Sequence, residues 1–390
     1  MKILFVQDSL GTGGAERSNA YLWYYLRERG VEFRIVVLGH RKEGIEKEIL
    51  SEGFNVTFLE RGNFLKNGRD IADVIREFNP SVVHSVLYES NMRVRFAKLF
   101  ADFYHVESLV NCTYAPIRFK DPRVSKPGLY LAKYMDFFSR SRGVDHSIAI
   151  TREVAKHYQE QFNIPSSQMS VIFRGRKENP HLADRIAIRE KLITELGIAA
   201  DKVLLIHVGR QEYQKGHVHL LEALHILHER NREVWDKISI LFCGRMGNAS
   251  ADIDDFTEAH PYLNKHMQWL GHRHDVPQLL AASDVFVFPS LYEGLGGSLI
   301  EAQAAALPVV CSDIPVLHEV VNAGDNALMF PVTDAQAMAK QIEKVVCNAE
   351  LQKRMRERSL INYQEKFRLD NINEEMLNFY RKVSKQAVES

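Results

Sequence analysis

No stretch of this chain approaches the ~20 consecutive apolar residues that a membrane-spanning helix requires, so no transmembrane span is expected. Cysteine is scarce: Cys112, Cys243, Cys311 and Cys347 lie far apart, with neither CxxC pairs nor histidines at ligand spacing. That pattern fits a reducing cytosol and argues against a structural zinc site. An excess of one charge is missing too. Fifty basic residues balance fifty acidic ones, so no global field gathers nucleic acid, and an electrostatic partner has to be met by a local patch. There is no internal repeat and no low-complexity segment. Met1-Lys2-Ile3-Leu4-Phe5-Val6 is short and runs straight into Gln7-Asp8, so it reads as a first strand and not as a leader.

What remains is a chain of 390 residues, 45% hydrophobic and 26% charged. That is the make-up of a soluble globular protein, at a length that calls for two domains of roughly 150–200 residues. Short apolar runs alternate with longer amphipathic ones, the pattern of βα units on parallel sheets. In the first half strands are expected at Lys2–Val6, Phe33–Leu38, Asn55–Leu59, Ser81–His84, Phe103–Val110, His146–Ile150 and Met169–Phe173. Helices are expected at Ala15–Arg29, Gly44–Glu52, Arg69–Phe78 and Asn91–Phe100, and from Thr151 as N-cap through Gln161. A second series has strands at Val203–Val208, Ile238–Cys243, Met267–Leu270, Asp284–Phe288 and Val309–Cys311. The expected class is therefore α/β, with two doubly wound Rossmann-like domains, 1–178 and 200–365. Residues 179–199 would link them through a helix at Asp184–Gly197, and 366–390 would form a C-terminal helix, with packing back on the first domain as one option.

In open α/β sheets ligands bind beyond the carboxyl ends of the strands. The most informative such place is the run from Phe288 to Ala302, which reads as a strand, a glycine-rich turn and a helix start. A helix start offers unpaired N–H groups to a phosphate, and Glu293 and Glu301 on either side can accept hydrogen bonds from hydroxyls. Phosphate plus hydroxyls suggest a sugar nucleotide. Ser298-Leu299-Ile300-Glu301 also reads as a capping box, with Ser298 as N-cap, and the two roles are compatible. After Val203–Val208 come Arg210 and Lys215, in one loop ahead of a helix near His217; two cations there can neutralise a diphosphate. Gly244 opens another flexible turn, and the backbone around Gly271-His272-Arg273 can meet a base edge. Few carboxylates lie at ligand spacing near His272, Arg273 and His274, so no metal is expected. After the first strand, Gly11-Thr12-Gly13-Gly14-Ala15-Glu16 departs from a dinucleotide fingerprint: Glu16 stands where the third glycine belongs, and Leu38-Gly39-His40 lacks the acidic residue. A phosphate or close-packed substrate still suits it.

The combination resembles family 4 of the retaining, nucleotide-sugar-dependent glycosyltransferases, which have the GT-B fold of two Rossmann-like domains facing each other across a cleft. The residues that carry the resemblance are Gly13-Gly14-Ala15-Glu16, Val208-Gly209-Arg210 with Lys215-Gly216, Ser283 to Ser290, Glu293 and Glu301 with seven residues between, and Pro308-Val309-Val310 followed by Glu319. The resemblance implies that Arg210 and Lys215 grip the donor diphosphate and stabilise the leaving group, and that Glu293 lies near the transferred sugar. It implies that Glu301 binds the ribose hydroxyls, that Gly296, Gly297, Ser298 and Leu299 bind the donor at its sugar and phosphate, and that Gly13 and Gly14 close on donor and acceptor. Departures from the family pattern are Ala306 for glycine, Gln303 for methionine, Arg174-Gly175-Arg176 for Asn-Gly, and Ser108-Leu109-Val110-Asn111 where a histidine is often found.

The activity so implied is a hexosyl transfer to a glycan or lipid-linked acceptor, in cell-surface polysaccharide or lipopolysaccharide synthesis. No cofactor or divalent metal is implied, and the donor would be a uridine diphosphate sugar first and a guanosine diphosphate sugar next. A GT-B epimerase or phosphorylase and a non-catalytic nucleotide-sugar-binding subunit are the alternatives. The expected place is the cytoplasm, with a peripheral position on the inner membrane face depending on residues 118–142. There Arg118, Lys120, Arg123, Lys126, Lys133, Arg140 and Arg142 interleave with Phe119, Tyr130, Tyr134, Phe137 and Phe138. Either the segment lies on an anionic membrane, or Tyr130, Tyr134 and Phe138 face the sheet while Lys133 and Arg140 are solvated.

Overall fold

A computed structural model describes residues 1–389. The chain divides into two compact units. The first contains residues 1–119, 124–175 and the chain from Leu369 on; the second contains Lys120–Arg123 and Arg176–Arg368.

The first unit is built on a seven-stranded sheet: β1 (Lys2–Gln7), β2 (Glu32–Val37), β3 (Val56–Phe58), β4 (Val82–Val86), β5 (His105–Leu109), β6 (His146–Ala149) and β7 (Met169–Val171). Their order is β3-β2-β1-β4-β5-β6-β7, with every neighbouring pair parallel. β1 shows why the run is apolar throughout. Its side chains alternate between faces, and helices cover both. Ile3 and Phe5 pack with Trp23, Leu26 and Tyr380 on one face, while Leu4 and Val6 pack with Ile71, Ile75 and Val94 on the other. A parallel strand buried on both faces needs a continuous apolar run. The C-terminal helix Leu369–Glu389 belongs to this core through Ile372, Met376, Tyr380 and Val383. Tyr25 donates to Glu374 at 2.5 Å, and the buried His84 Nδ1 lies 2.5 Å from the Tyr380 hydroxyl.

The second unit carries a six-stranded sheet: β8 (Val203–Val208), β9 (Ile238–Cys243), β10 (Met267–Gly271), β11 (Val285–Phe288), β12 (Val309–Ser312) and β13 (Ala327–Phe330). The order β10-β9-β8-β11-β12-β13 is that of a dinucleotide-fold sheet, 3-2-1-4-5-6. β13, four residues after Gly324-Asp325-Asn326, is not among the strands expected from sequence. The stretch 179–199 is no free linker. Its helix Arg185–Leu196 lies in the second unit. There Arg189 donates to the carbonyls of Ala282 (2.8 Å) and Lys202 (2.6 Å) and pairs with Asp284 at 2.8 Å.

Three departures from the family pattern have definite structural settings. Gln303 is fully buried, donates to the Val320 carbonyl at 3.2 Å, and accepts from Asn326 and Asn362 at 2.9 and 2.5 Å. Ala306 has φ 55, the left-handed conformation that glycine adopts without strain. In the first unit, Ser108 bonds to His84 Nε2 at 2.8 Å and accepts from Arg174 at 3.0 Å. It thus links β5 to β4 in the place where a histidine was expected.

The helix Lys126–Gly143 corrects the core-packing reading of residues 118–142. Tyr130, Tyr134 and Phe138 are exposed, Phe138 by 75%, together with Leu131 and Phe137. The buried stripe is instead Leu129, Asp136, Arg140 and Gly143. Arg140, expected in solvent, is buried and pairs with Glu107 and, at 3.2 Å, with Asp136. Arg95 closes the group, 2.5 Å from Glu107 and 2.6 Å from Asp136. Burial alone would raise the Glu107 carboxyl; Arg140 and Arg95 outweigh it and hold the group well below the usual carboxylate range. Among the described residues no helix is long and apolar enough to cross a membrane.

Candidate functional site

In the second unit β8 and β11 are neighbours, but β8 leads on to β9 at one side and β11 to β12 at the other. That reversal opens a crevice at the carboxyl ends, where doubly wound sheets bind ligands. Three segments meet there: the loop after β8, the loop after β11, and the helix Gly297–Ala304.

The loop after β8 is held in two ways. Its start continues the parallel ladder: Gly209 N–H donates to the Cys243 carbonyl at 2.9 Å and Gln211 N–H to the Arg245 carbonyl at 2.9 Å. Its end, the turn Tyr213–Lys215, is joined to the segment after β11. Leu291 N–H donates to the Gln214 carbonyl at 2.8 Å, and the Gln214 side chain donates to the Tyr292 carbonyl at 2.7 Å. Gly216 then turns the chain with φ 68; a Cβ there would sit 2.1 Å from the Pro289 carbonyl oxygen. Backbone contact this close brings Lys215 onto Glu293, with Nζ 2.5 Å from Oε1. Lys215 Nζ also lies 5.6 Å from the Phe288 ring centroid. The Glu293 side chain is 8% exposed, whereas that of Arg210 is 68% exposed and reaches only Glu212, at 3.4 Å.

Beneath this loop lie two buried histidines that the sequence reading missed. His207, next to last in β8, has Nδ1 2.9 Å from the Val287 carbonyl, and the His217 ring meets it edge-on at 4.5 Å. Burial first of all pushes both down, His207 to about 4 and His217 to about 2, with Lys215 adding to the effect. Both rings are neutral at physiological pH, so the cations above stand on an uncharged floor. The available signal was two histidines, one near the end of an apolar strand and one opening the next helix.

The glycine turn departs from the capping-box expectation. The N-cap of Gly297–Ala304 is Gly296, with φ 86 and no side-chain cap. The Ser298 hydroxyl instead donates to the Val208 carbonyl at 3.0 Å, joining the helix start to the end of β8. Glu301 accepts from Arg176 Nε at 3.0 Å. Without a cap, the first N–H groups of the helix are left to solvent or ligand. Leu299, next in line, is fully buried.

The structure therefore brings Arg210, Lys215, Glu293, Gly296, Gly297, Ser298 and Glu301 to one end of one sheet. Gly244 follows β9 and donates its N–H to the Gly271 carbonyl at 2.8 Å. His272 and Arg273 follow the edge strand β10, and the Arg273 side chain is engaged by Asp275 at 2.8 and 2.6 Å. Gly13 and Gly14 lie in the first unit, where Gly13 caps the helix Gly14–Glu28 after β1. Among the described residues no group of three or more His, Cys, Asp or Glu is placed to hold a metal ion. The chemistry at hand is an ammonium paired to a buried carboxylate, an exposed guanidinium, an uncapped helix start and a second carboxylate.

Comparison with known proteins assigns both halves. Residues 12–177 match the model of Glycosyltransferase Family 4, and residues 188–360 that of Glycosyl transferases group 1. An uncharacterized glycosyltransferase of Methanocaldococcus jannaschii is 27% identical over 248 residues, which are 60% of this chain and 59% of that one. The putative glycosyltransferase EpsF of Bacillus subtilis is 27% identical over 83% of this chain and 81% of its own length. In fold, the chain resembles Anabaena HepE, whose crystal structure holds UDP-glucose, with a TM-score of 0.82 at 18% identity over 98% of this chain and all of that one. The two parallel-sheet α/β units are thus similar in fold to GT-B glycosyltransferases.

Proposed function

The chain belongs to the family 4 glycosyltransferases, and from that premise we propose that it transfers a sugar, with retention, from a nucleotide-diphosphate donor to a glycan or lipid-linked acceptor of a cell-surface polysaccharide. The observation that carries this reading is the Lys215–Glu293 pair at the β8/β11 crevice. As the bond from the anomeric carbon to the diphosphate breaks, negative charge collects on the leaving group. Lys215 keeps donors beyond the one on Glu293. The exposed Arg210 is free to swing in, and the uncapped helix start at Gly297 supplies N–H groups and the positive end of a dipole. These groups meet the developing charge without a divalent metal. Glu293, buried beside Lys215, faces the sugar, and Glu301 takes the ribose hydroxyls.

A uridine diphosphate sugar is the first donor to try, because HepE, alike in fold, binds UDP-glucose. Incubation of the protein with nucleotide sugars, with and without acceptor, tests the reading. Transfer with retained anomeric configuration, undiminished by EDTA, is the expected result. Conversion of the sugar without acceptor would mark an epimerase, and binding without transfer or slow hydrolysis a non-catalytic subunit.

The exposed face of Lys126–Gly143 supports work at a membrane. Leu131, Tyr134 and Phe138 stand in solvent on a helix that carries Lys126 in its first turn, Lys133 at its middle and Arg142 near its end. Apolar side chains ringed by cations suit an anionic bilayer surface, which is where a lipid-linked acceptor resides.

A further inference from the structure

We propose that Arg176 is a positioning residue of the donor site: it fixes the Glu301 carboxylate where the ribose hydroxyls arrive, and so sets how strongly the site prefers ribose over deoxyribose. This rests on the reading in which Glu301 binds the ribose.

Arg176 is anchored along its whole length. Its N–H donates to the Phe367 carbonyl at 3.0 Å, and its carbonyl accepts from the buried Tyr363 hydroxyl at 3.0 Å. Its side chain is 9% exposed and reaches Glu301 through Nε at 3.0 Å. The guanidinium rests on the bare Cα of Gly297, where a Cβ would lie 2.0 Å from Nη2. A cation at a helix start opposes the dipole, and Glu301 offsets that charge. The Glu301 side chain, by contrast, is 32% exposed and would sample several rotamers on its own. Held by one oxygen, it keeps lone pairs that accept from two hydroxyls. The planar guanidinium fixes direction as well as distance, which an ammonium does not. Gly297 and Arg176 thus form one device: the missing side chain makes room for the group that orients the carboxylate.

The test is isothermal titration of the full chain with UDP and GDP and with their 2′-deoxy counterparts. The variants are Arg176→Gln, Arg176→Lys, Glu301→Gln and the Arg176→Gln/Glu301→Gln double, with Gly297→Ala as a second way of displacing the guanidinium. Wild type should prefer the ribose form by about tenfold or more, the scale of one hydrogen bond to a charged group. Arg176→Gln and Gly297→Ala should lower that ratio to within about twofold of the Glu301→Gln value. Arg176→Lys should fail to restore it, and the double variant should add nothing to Glu301→Gln. A role confined to stability would shift the unfolding midpoint and leave the ratio unchanged. If Glu301→Gln lowers the ratio while Arg176→Gln and Gly297→Ala keep it, the role of Arg176 is overturned and that of Glu301 stands. If Glu301→Gln keeps the wild-type ratio, or neither diphosphate binds, the ribose reading itself falls, and this inference with it.

Discussion

Replacing Gly216 by alanine should disable the site without dismantling the fold. Gly216 sits at φ 68, and its missing Cβ would lie 2.1 Å from the Pro289 carbonyl oxygen, against an ordinary contact of 3.4 Å or more. The two backbones must separate by about 1 Å to admit a methyl group. The part that moves is the turn that holds Lys215 on Glu293. A misplacement of ~1 Å in a catalytic group costs on the order of 10²-fold in rate. The left-handed conformation itself costs an alanine about 1–2 kcal/mol. Gly197 separates the two effects: it has φ 63 with nothing within 4 Å of a built Cβ, and it ends the helix Arg185–Leu196. Gly197→Ala should therefore lose about 1–2 kcal/mol of stability in urea titration and retain wild-type turnover. Gly216→Ala should lose at least as much stability and, in addition, ~10²-fold in kcat/KM. Equal activity in the two variants would refute the claim that the Pro289 contact places Lys215.

Glu107→Gln leaves the buried Arg95 and Arg140 with a single carboxylate, Asp136, between them and should cost about 3–5 kcal/mol, read from the urea midpoint at pH 7. Because the Glu107 carboxyl is held below its ordinary 4.5, its contribution is complete above that pH and drains away as pH falls further. Wild type should lose stability through that acid range faster than Glu107→Gln, and parallel curves would contradict the assignment. Gln303→Met takes the acceptor from the buried Asn326 amide and one of two acceptors from that of Asn362, and should cost about 1–3 kcal/mol in the same assay. Ala306→Gly relieves a left-handed alanine at φ 55 and should gain a net ~0.5–1 kcal/mol. The wild-type protein should co-sediment with anionic liposomes at low salt and lose that binding near 1 M salt, where the Debye length falls to ~3 Å. Tyr134→Ser with Phe138→Ser should weaken the binding, and no co-sedimentation at low salt would make a soluble acceptor the better reading.

What the chain revealed before folding was whatever depends on near neighbours. β1 was legible because a strand buried on both faces has to be apolar throughout, and the loops after β8 and β11 because glycine and charge sit directly behind such strands. Features decided by distant partners were not legible. The buried stripe of Lys126–Gly143 is ionic because Glu107 and Arg95 wait beneath it, so a search for apolar spacing turned the helix inside out. Ser298 has the spacing of a cap, but Val208, ninety residues earlier, takes its hydroxyl. Arg176 was visible only as a departure from Asn-Gly; its partner Glu301 lies 125 residues further on. β13, four residues with no β-branched side chain, has almost no local signature and is fixed by pairing with β12.

The central claim is that Arg210 and Lys215 stabilise a departing nucleotide diphosphate at the β8/β11 crevice. It is tested most directly by single-turnover transfer from the nucleotide sugar that the wild-type protein uses, measured for Arg210→Ala and Lys215→Ala under saturating donor. Each variant should fold as wild type and transfer at least ~10²-fold more slowly, the scale of losing one charge-stabilising donor. Transfer at near wild-type rate in both variants would contradict the account.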